Sequence, residues 1–450
     1  MNLKEFENKT ILLFGKSRAF TKDEFDAQMD FYKITVLKEY ADDVVLIVDG
    51  RMMTPYEQNK SEALYEEKKA EFCSIDDLEN ELAKHIDTDV LLMSLKLSHD
   101  KQRLKGFLQN TMIDDALFLR LLKMYRWSGE DFFENDDNRD VTAALISRFY
   151  ENIERNHNVQ YATLGLMHLV VQAKDSSLIE AIVALEPLQK SFKSNAKDAN
   201  YSIVTAIATH HHTSTGVLKM LIKKSNTYVK TLIAMRADCL GDMQKMLYES
   251  GDAFVVEALS HNKNLDKELA SKILQENVYS KNIARHINLN DEIFEVLIGS
   301  YPKELACNES LTPSMQERLV GLHDADVNLA LASNAHLDEN IVMKLLCESS
   351  EEIQFCLYSN VITSKEQLEE AYLDEINHRA LCSNENTPAH ILKKLGESED
   401  IKVLEELAKN QNTPVEVLYQ LQLDSRFERF VKENQAFGKH IQSQNIGWQV

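Results

Sequence analysis

Glycine and proline are scarce in this chain of 450 residues, at 13 and 6 respectively, against average usages of about 7% and 5%. All-β sandwiches and barrels place such residues at their many turns, so that class is excluded. Cysteine is sparse as well, at positions 73, 239, 307, 347, 356 and 382 with no C-x-x-C pair. Neither a disulfide framework nor a zinc ribbon fits that spacing, and no cofactor is expected. No apolar run approaches the roughly 18 residues of a membrane helix. The opening MNLKEFENKT is too polar for a secretory signal. The expectation is therefore a soluble, cytoplasmic protein with no membrane association. Positive charge is in deficit too: 72 acidic against 50 basic residues leave −22. Affinity for phosphates comes mainly from Lys and Arg, so a general nucleic-acid coat is disfavoured. The 44% of hydrophobic residues are enough for real cores.

The first ninety residues read as a small α/β domain. Thr10–Phe14 (TILLF) is a continuous apolar run ending at Gly15, as a buried strand would. Thr21-Lys-Asp-Glu24 is a capping box that opens a helix to about Tyr32. Ile34–Leu37 and Val44–Val48 are strand candidates, and a helix fits Asn59–Lys69. A short strand at Glu71–Cys73 leads into a second capping box, Ser74-Ile-Asp-Asp77, and a last helix. The order β-α-β-β-α-β-α with buried strands predicts a mainly parallel sheet covered by helices.

The segments KTILLFGKS, VVLIVDG, NKSEALYEEKK and EFCSIDDLENEL over about residues 8–86 resemble a BRCT domain. In phosphopeptide-binding members, the resemblance implies a Ser or Thr before the first-turn glycine, that glycine's backbone, and a Lys opening the second helix. Gly15 and Lys60 match; Phe14 stands where the hydroxyl is expected, which leaves Ser17 as its substitute. Many members instead pack against another protein or a DNA end. Gly15-Lys16-Ser17 also imitates the end of a phosphate-cradling loop, but the first glycine would fall at Thr10, inside the strand. A nucleophile elbow at the same turn lacks a surrounding hydrolase sheet.

From Val90 to about Leu188 the apolar spacing is helical, clearest over residues 116–125 and 142–150. Ser128–Asn138 is an acidic, aromatic-bearing loop; its oxygens suit a hard cation, but the spacing is not that of a calcium loop. It is read as solvated. Residues 96–126 form the one basic segment, and Lys101, Arg103 and Lys105 are the candidate nucleic-acid contacts within it.

The C-terminal half repeats. CSNENTPAHILKKL from Cys382 aligns with AKNQNTPVEVLYQL from Ala408, ACNESLTPSMQERL from Ala306, ASNAHLDENIVMKL from Ala332 and YSNVITSKEQLEEA from Tyr358. The shared asparagine falls at Asn308, Asn334, Asn360, Asn384, Asn410 and Asn434, and counting back gives Asn262, His286, Arg236 and His210, a period of 22–26 residues. Asn is expected to bend the chain by bonding its own backbone. Thr312, Thr363, Thr387 and Thr413 are expected as helix caps, followed by Pro313, Pro388 and Pro414, and boxes are expected at Thr363/Glu366 and Thr413/Glu416. No unit can bury its leucines alone, so neighbours must stack. His210-His211-His212 invites a metal reading, but adjacent side chains diverge, and a turn role for His210 is expected; no metal site is expected.

The pattern N-x-N-T-P-x-x-[IVL]-L-x-x-L resembles the leucine-rich-repeat-variant family, close to HEAT-like solenoids, over about residues 200–436. One form of that family carries a cysteine-ligated iron–sulfur module, which nothing here matches. The expected fold is mostly α: an α-solenoid of about ten repeats (200–436), preceded by the BRCT-like domain (1–88) and a helical middle (89–199), and followed by a tail (437–450). No catalytic residue is assigned. The expected function is a scaffold holding a protein or peptide partner, a basic one given the charge, with Trp448 of the tail as a docking residue. The alternative is a DNA repair or replication accessory factor.

Overall fold

The structure is a computed structural model that describes residues 3–17, 19–84, 87–111, 113–129, 131–150, 163–348 and 350–443. Its contacts divide the chain into two compact units, Met1–Ile233 and Ala234–Val450. Among the described residues it is mostly helical, with one small sheet near the N-terminus.

That sheet contains β1 (Thr10–Phe14), β2 (Thr35–Leu37), β3 (Val44–Asp49) and β4 (Glu71–Ser74), all parallel, in the order β2-β1-β3-β4. The connecting helices are α1 (Lys22–Phe31), α2 (Pro55–Glu66) and α3 (Ile75–Ala83). Strand side chains alternate between faces, and a register shift that skips Val45 lets both Val44 and Ile47 of β3 join Leu12 and Phe14 of β1 in one cluster, where Leu64 of α2 packs on them. Both expected capping boxes form, at Thr21/Glu24 and Ser74/Asp77. A third, Thr54/Glu57 with Pro55 at the first helical position, starts α2 four residues before the expected Asn59. The polar first turn of α2 offers no apolar periodicity to read, and the cap sets the boundary instead.

The first unit continues with helices, beginning with α4 (Thr88–Ser98), α5 (Lys101–Leu108), α6 (Asp115–Leu122) and α7 (Asp136–Phe149). The acidic segment before α7 is folded back on itself. Asn138, fully buried, donates to the carbonyls of Ser128 (2.6 Å) and Asp131 (3.1 Å), and its Oδ1 accepts from Tyr125 Oη and the Ser128 amide at 3.3 Å each. Phe132 stacks edge-on to Trp127 inside it.

In the second unit, short helices alternate along the chain. Those ending at the anchors pack each on the next: Ser280–His286, Pro302–Ala306, Ala325–Ala332, Glu351–Ser359, His378–Ser383, Ile401–Lys409 and Glu428–Glu433. Leu381, Cys382, Leu407, Ala408, Val431 and Phe437 form part of one shared core, so successive repeats bury one another's apolar residues. Thr312 caps its helix with Pro313 following, as expected. Thr387 and Thr413 do not: Pro388 and Pro414 are themselves the caps, and the hydroxyls donate backward to the Leu381 (2.6 Å) and Leu407 (2.7 Å) carbonyls. Thr363 likewise donates to Leu357, and the capping box belongs to Ser364 and Gln367. A buried threonine gains more from a carbonyl that is otherwise shut away from water than from an exposed cap.

Candidate interaction surfaces

The turn after β1 is held by its own neighbours. Gly15 has φ +66, and a Cβ there would sit 2.5 Å from the Arg51 carbonyl, so glycine is required. Its amide donates to Glu57 Oε1 at 3.1 Å, and its carbonyl accepts from Lys38 Nζ at 2.8 Å. Ser17 Oγ donates to Glu79 Oε1 at 2.7 Å, and the Ala19 amide reaches the same oxygen at 3.0 Å. Lys60 lies in the interior of α2 rather than at its opening, with its ammonium 5.6 Å over the Tyr56 ring. The donors expected for a phosphate thus meet two carboxylates of this chain. Hydrogen bonds from the Thr54 backbone, Gly15 and the Thr54 hydroxyl hold Glu57 below the usual carboxylate range, which keeps it charged. Sequence spacing gave no sign of Glu57, Glu79 or Lys38 in this role, since they are 62, at most, and 23, at least, positions from the groups they bond.

The basic segment is spent internally to a large degree. Arg103, 3% exposed, pairs with Glu24 of α1 and donates to Ser94 Oγ at 3.0 Å. Lys105, 7% exposed, bonds Asp137 at 2.6 Å and Asp140 at 2.8 Å. Lys101 donates to Ser128 Oγ at 2.9 Å, lies 3.4 Å from Asp137 and sits over the Tyr125 ring. Arg103 and Lys105 are therefore buried cross-links and not an open phosphate-contacting face. Lys96, Lys101 and Arg126 do border a cavity of about 280 Å³ together with His99.

The asparagine anchors form a ladder. Each Oδ1 bonds its own turn, as the Asn334 oxygen does with the His336 amide at 2.8 Å. Each Nδ2 reaches back one repeat to two carbonyls. Asn334 donates to Ala306 and Asn308, Asn360 to Ala332 and Asn334, and Asn384 to Tyr358 and Asn360. Asn410 and Asn434 continue the series, and Asn262 and Asn308 begin it. The expected bond to the local turn is only half of the role; the inter-repeat half follows from packing. Gln244 and Gln316 add a second kind of rung, each bridging its own repeat to the next through Asn264 and His336 carbonyls. His210 bonds the His212 amide through Nδ1 at 3.2 Å, the turn contact an asparagine would make. The rings of His210, His211 and His212 do gather, with centroids 4.0–5.7 Å apart, rather than diverging. No group of three His, Cys, Asp or Glu among the described residues is arranged to hold a metal.

Trp448 lies outside the described residues. No helix among the described residues is long and apolar enough to cross a membrane. No protein-family model matches the chain, and no curated protein matches it in sequence.

Proposed function

We propose that this protein is a non-catalytic scaffold whose repeats form an α-solenoid that holds a protein or peptide partner, with the N-terminal α/β domain as a BRCT-like interaction module. The asparagine ladder carries this reading. Seven buried amides from Asn262 to Asn434 are committed to the backbone of the preceding repeat. Such a ladder fixes the spacing between repeats and leaves the outer positions of every helix free to vary for recognition. The four-stranded parallel sheet, with helices between β1 and β2 and between β3 and β4, supports the BRCT-like reading of the first domain. The net charge of −22 favours a basic partner through electrostatic steering.

The test is co-isolation of the full chain with its partners after nuclease treatment, followed by cross-link mapping. Cross-links from one stoichiometric protein to several consecutive repeats are expected. Association that vanishes with nuclease would overturn the reading in favour of the DNA-maintenance alternative. The exposed Lys96 and Arg126 beside their cavity favour that alternative, and the pairing of Arg103 and Lys105 weighs against it.

A further inference from the structure

Between Asn262 and Asn434 the ladder has one broken rung, at His286. The repeats on either side carry Asn262 and Asn308 at this position, and Asn308 reaches the Ala284 carbonyl and, one residue past His286, the Ile287 carbonyl. The His286 imidazole instead lies against His261, with ring centroids 4.8 Å apart. Stitching between these two repeats passes to Asn288, whose amide donates to the Lys263 carbonyl and whose side chain donates to Asn264 Oδ1, both at 2.9 Å. An amide that would have filled the groove is thereby missing, and a cavity of about 480 Å³ stands open there.

Its walls are rich in basic side chains in a chain with a large acidic excess. His261, Lys263, Arg285, His286 and His336 border it, against the single carboxylate of Glu309. Lys263 lies 3.6 Å from Glu309, with both side chains mostly exposed, a pairing of little strength. The guanidinium of Arg285 makes no ion pair among the described residues, although it stands beside three imidazoles. Cys307 is the remaining titratable group on the rim. Burial, the neighbouring His261 and Arg285 hold the His286 pKa below the usual histidine value. An incoming anion would reverse the last two effects and draw a proton onto the ring.

We propose that this cleft is a phosphoryl-binding site, with Arg285 as the forked donor and the imidazoles of His261, His286 and His336 around it. A dianion matches this set better than a single carboxylate, because it presents three acceptor oxygens to donors approaching from two successive turns. This site does not depend on the scaffold reading, since free phosphate and a phosphorylated partner share the same chemistry.

The experiment is isothermal titration of the full chain at pH 6 and pH 7.5 with three probes: inorganic phosphate, a phosphoserine peptide, and the same peptide with glutamate for phosphoserine. Two variants accompany it, Arg285→Gln and His286→Asn. The second restores the amide found at the other anchors and should raise the unfolding temperature, so loss of binding there cannot be put down to unfolding. The expected result is saturable binding of phosphate or the phosphopeptide at pH 7.5 that falls at least about tenfold in both variants. Binding of phosphate and peptide alike identifies the free anion as sufficient; binding of the phosphopeptide alone identifies a partner's modified side chain. Either outcome supports the site. No binding at either pH, equal binding by the variants, or equal binding of the glutamate peptide overturns it.

Discussion

Asn410 donates its side-chain amide to the main-chain carbonyl of Asn384, 2.9 Å away and one repeat earlier, and Asn384 does the same to Asn360 at 2.6 Å. One residue type thus shapes its own turn and holds the previous one. Replacing Asn384 with Ala would leave the Tyr358 and Asn360 carbonyls without these donors in a site that water does not reach. The expected loss is about 2–5 kcal/mol. Chemical denaturation should show a lower midpoint, and hydrogen exchange should rise first in His378–Ser383 and its neighbours. A variant as stable as the parent would show that the ladder is incidental to stability.

The Arg103–Glu24 pair ties α5 to the capping carboxylate of α1, whose other oxygen bonds Thr21. Arg103→Glu would place like charges together in a site that excludes water at Arg103. Removing one partner of a buried pair costs about 3–5 kcal/mol, and the lower end applies because Glu24 is 30% exposed. Thermal unfolding of the first unit should shift downward by several degrees. A matching drop in nucleic-acid affinity without any loss of stability would contradict this structural role.

Lys105 and Asp137 make stability depend on pH at both extremes. The bond from Lys105 holds Asp137 below its ordinary value of 3.8. Its contribution is complete above that value and is lost as pH falls through the depressed one. Burial alone would lower the Lys105 pKa, but its bonds to Asp137 and Asp140 outweigh burial and raise it above 10.5. That contribution is complete below 10.5 and is lost as pH rises beyond it. Lys105→Met should therefore flatten the dependence of melting temperature on pH below about 4, relative to the parent chain. Identical pH profiles would dismiss the pair as a contributor.

Burial pushes the thiols of Cys73, Cys239 and Cys382 up to about 12, so they are almost wholly protonated at pH 8. Cys347 is exposed. A thiol reagent at pH 8 should label Cys347 first, and Cys239 and Cys382 only on unfolding. Peptide mapping after timed quenching distinguishes the order.

Local signals were legible in the sequence. The strand TILLF, the boxes at Thr21 and Ser74 and the asparagine period all appear where the chain's own pattern puts them, because each depends on residues within a few positions of one another. The caps at Thr387 and Thr413 were misread for the same reason: a Thr-Pro pair looks alike whether its hydroxyl faces solvent or a buried carbonyl. Only the tertiary structure brought Glu57 to the Gly15 amide, buried Arg103 against Glu24, turned each anchor amide onto the preceding repeat, and set His261, Arg285, His286 and His336 around one cleft. Periodicity is a property of neighbours along the chain. Hydrogen bonds and charges act through space between groups whose separation in sequence carries no record of their distance, so the repeat was written in the sequence and its partners were decided by the packing.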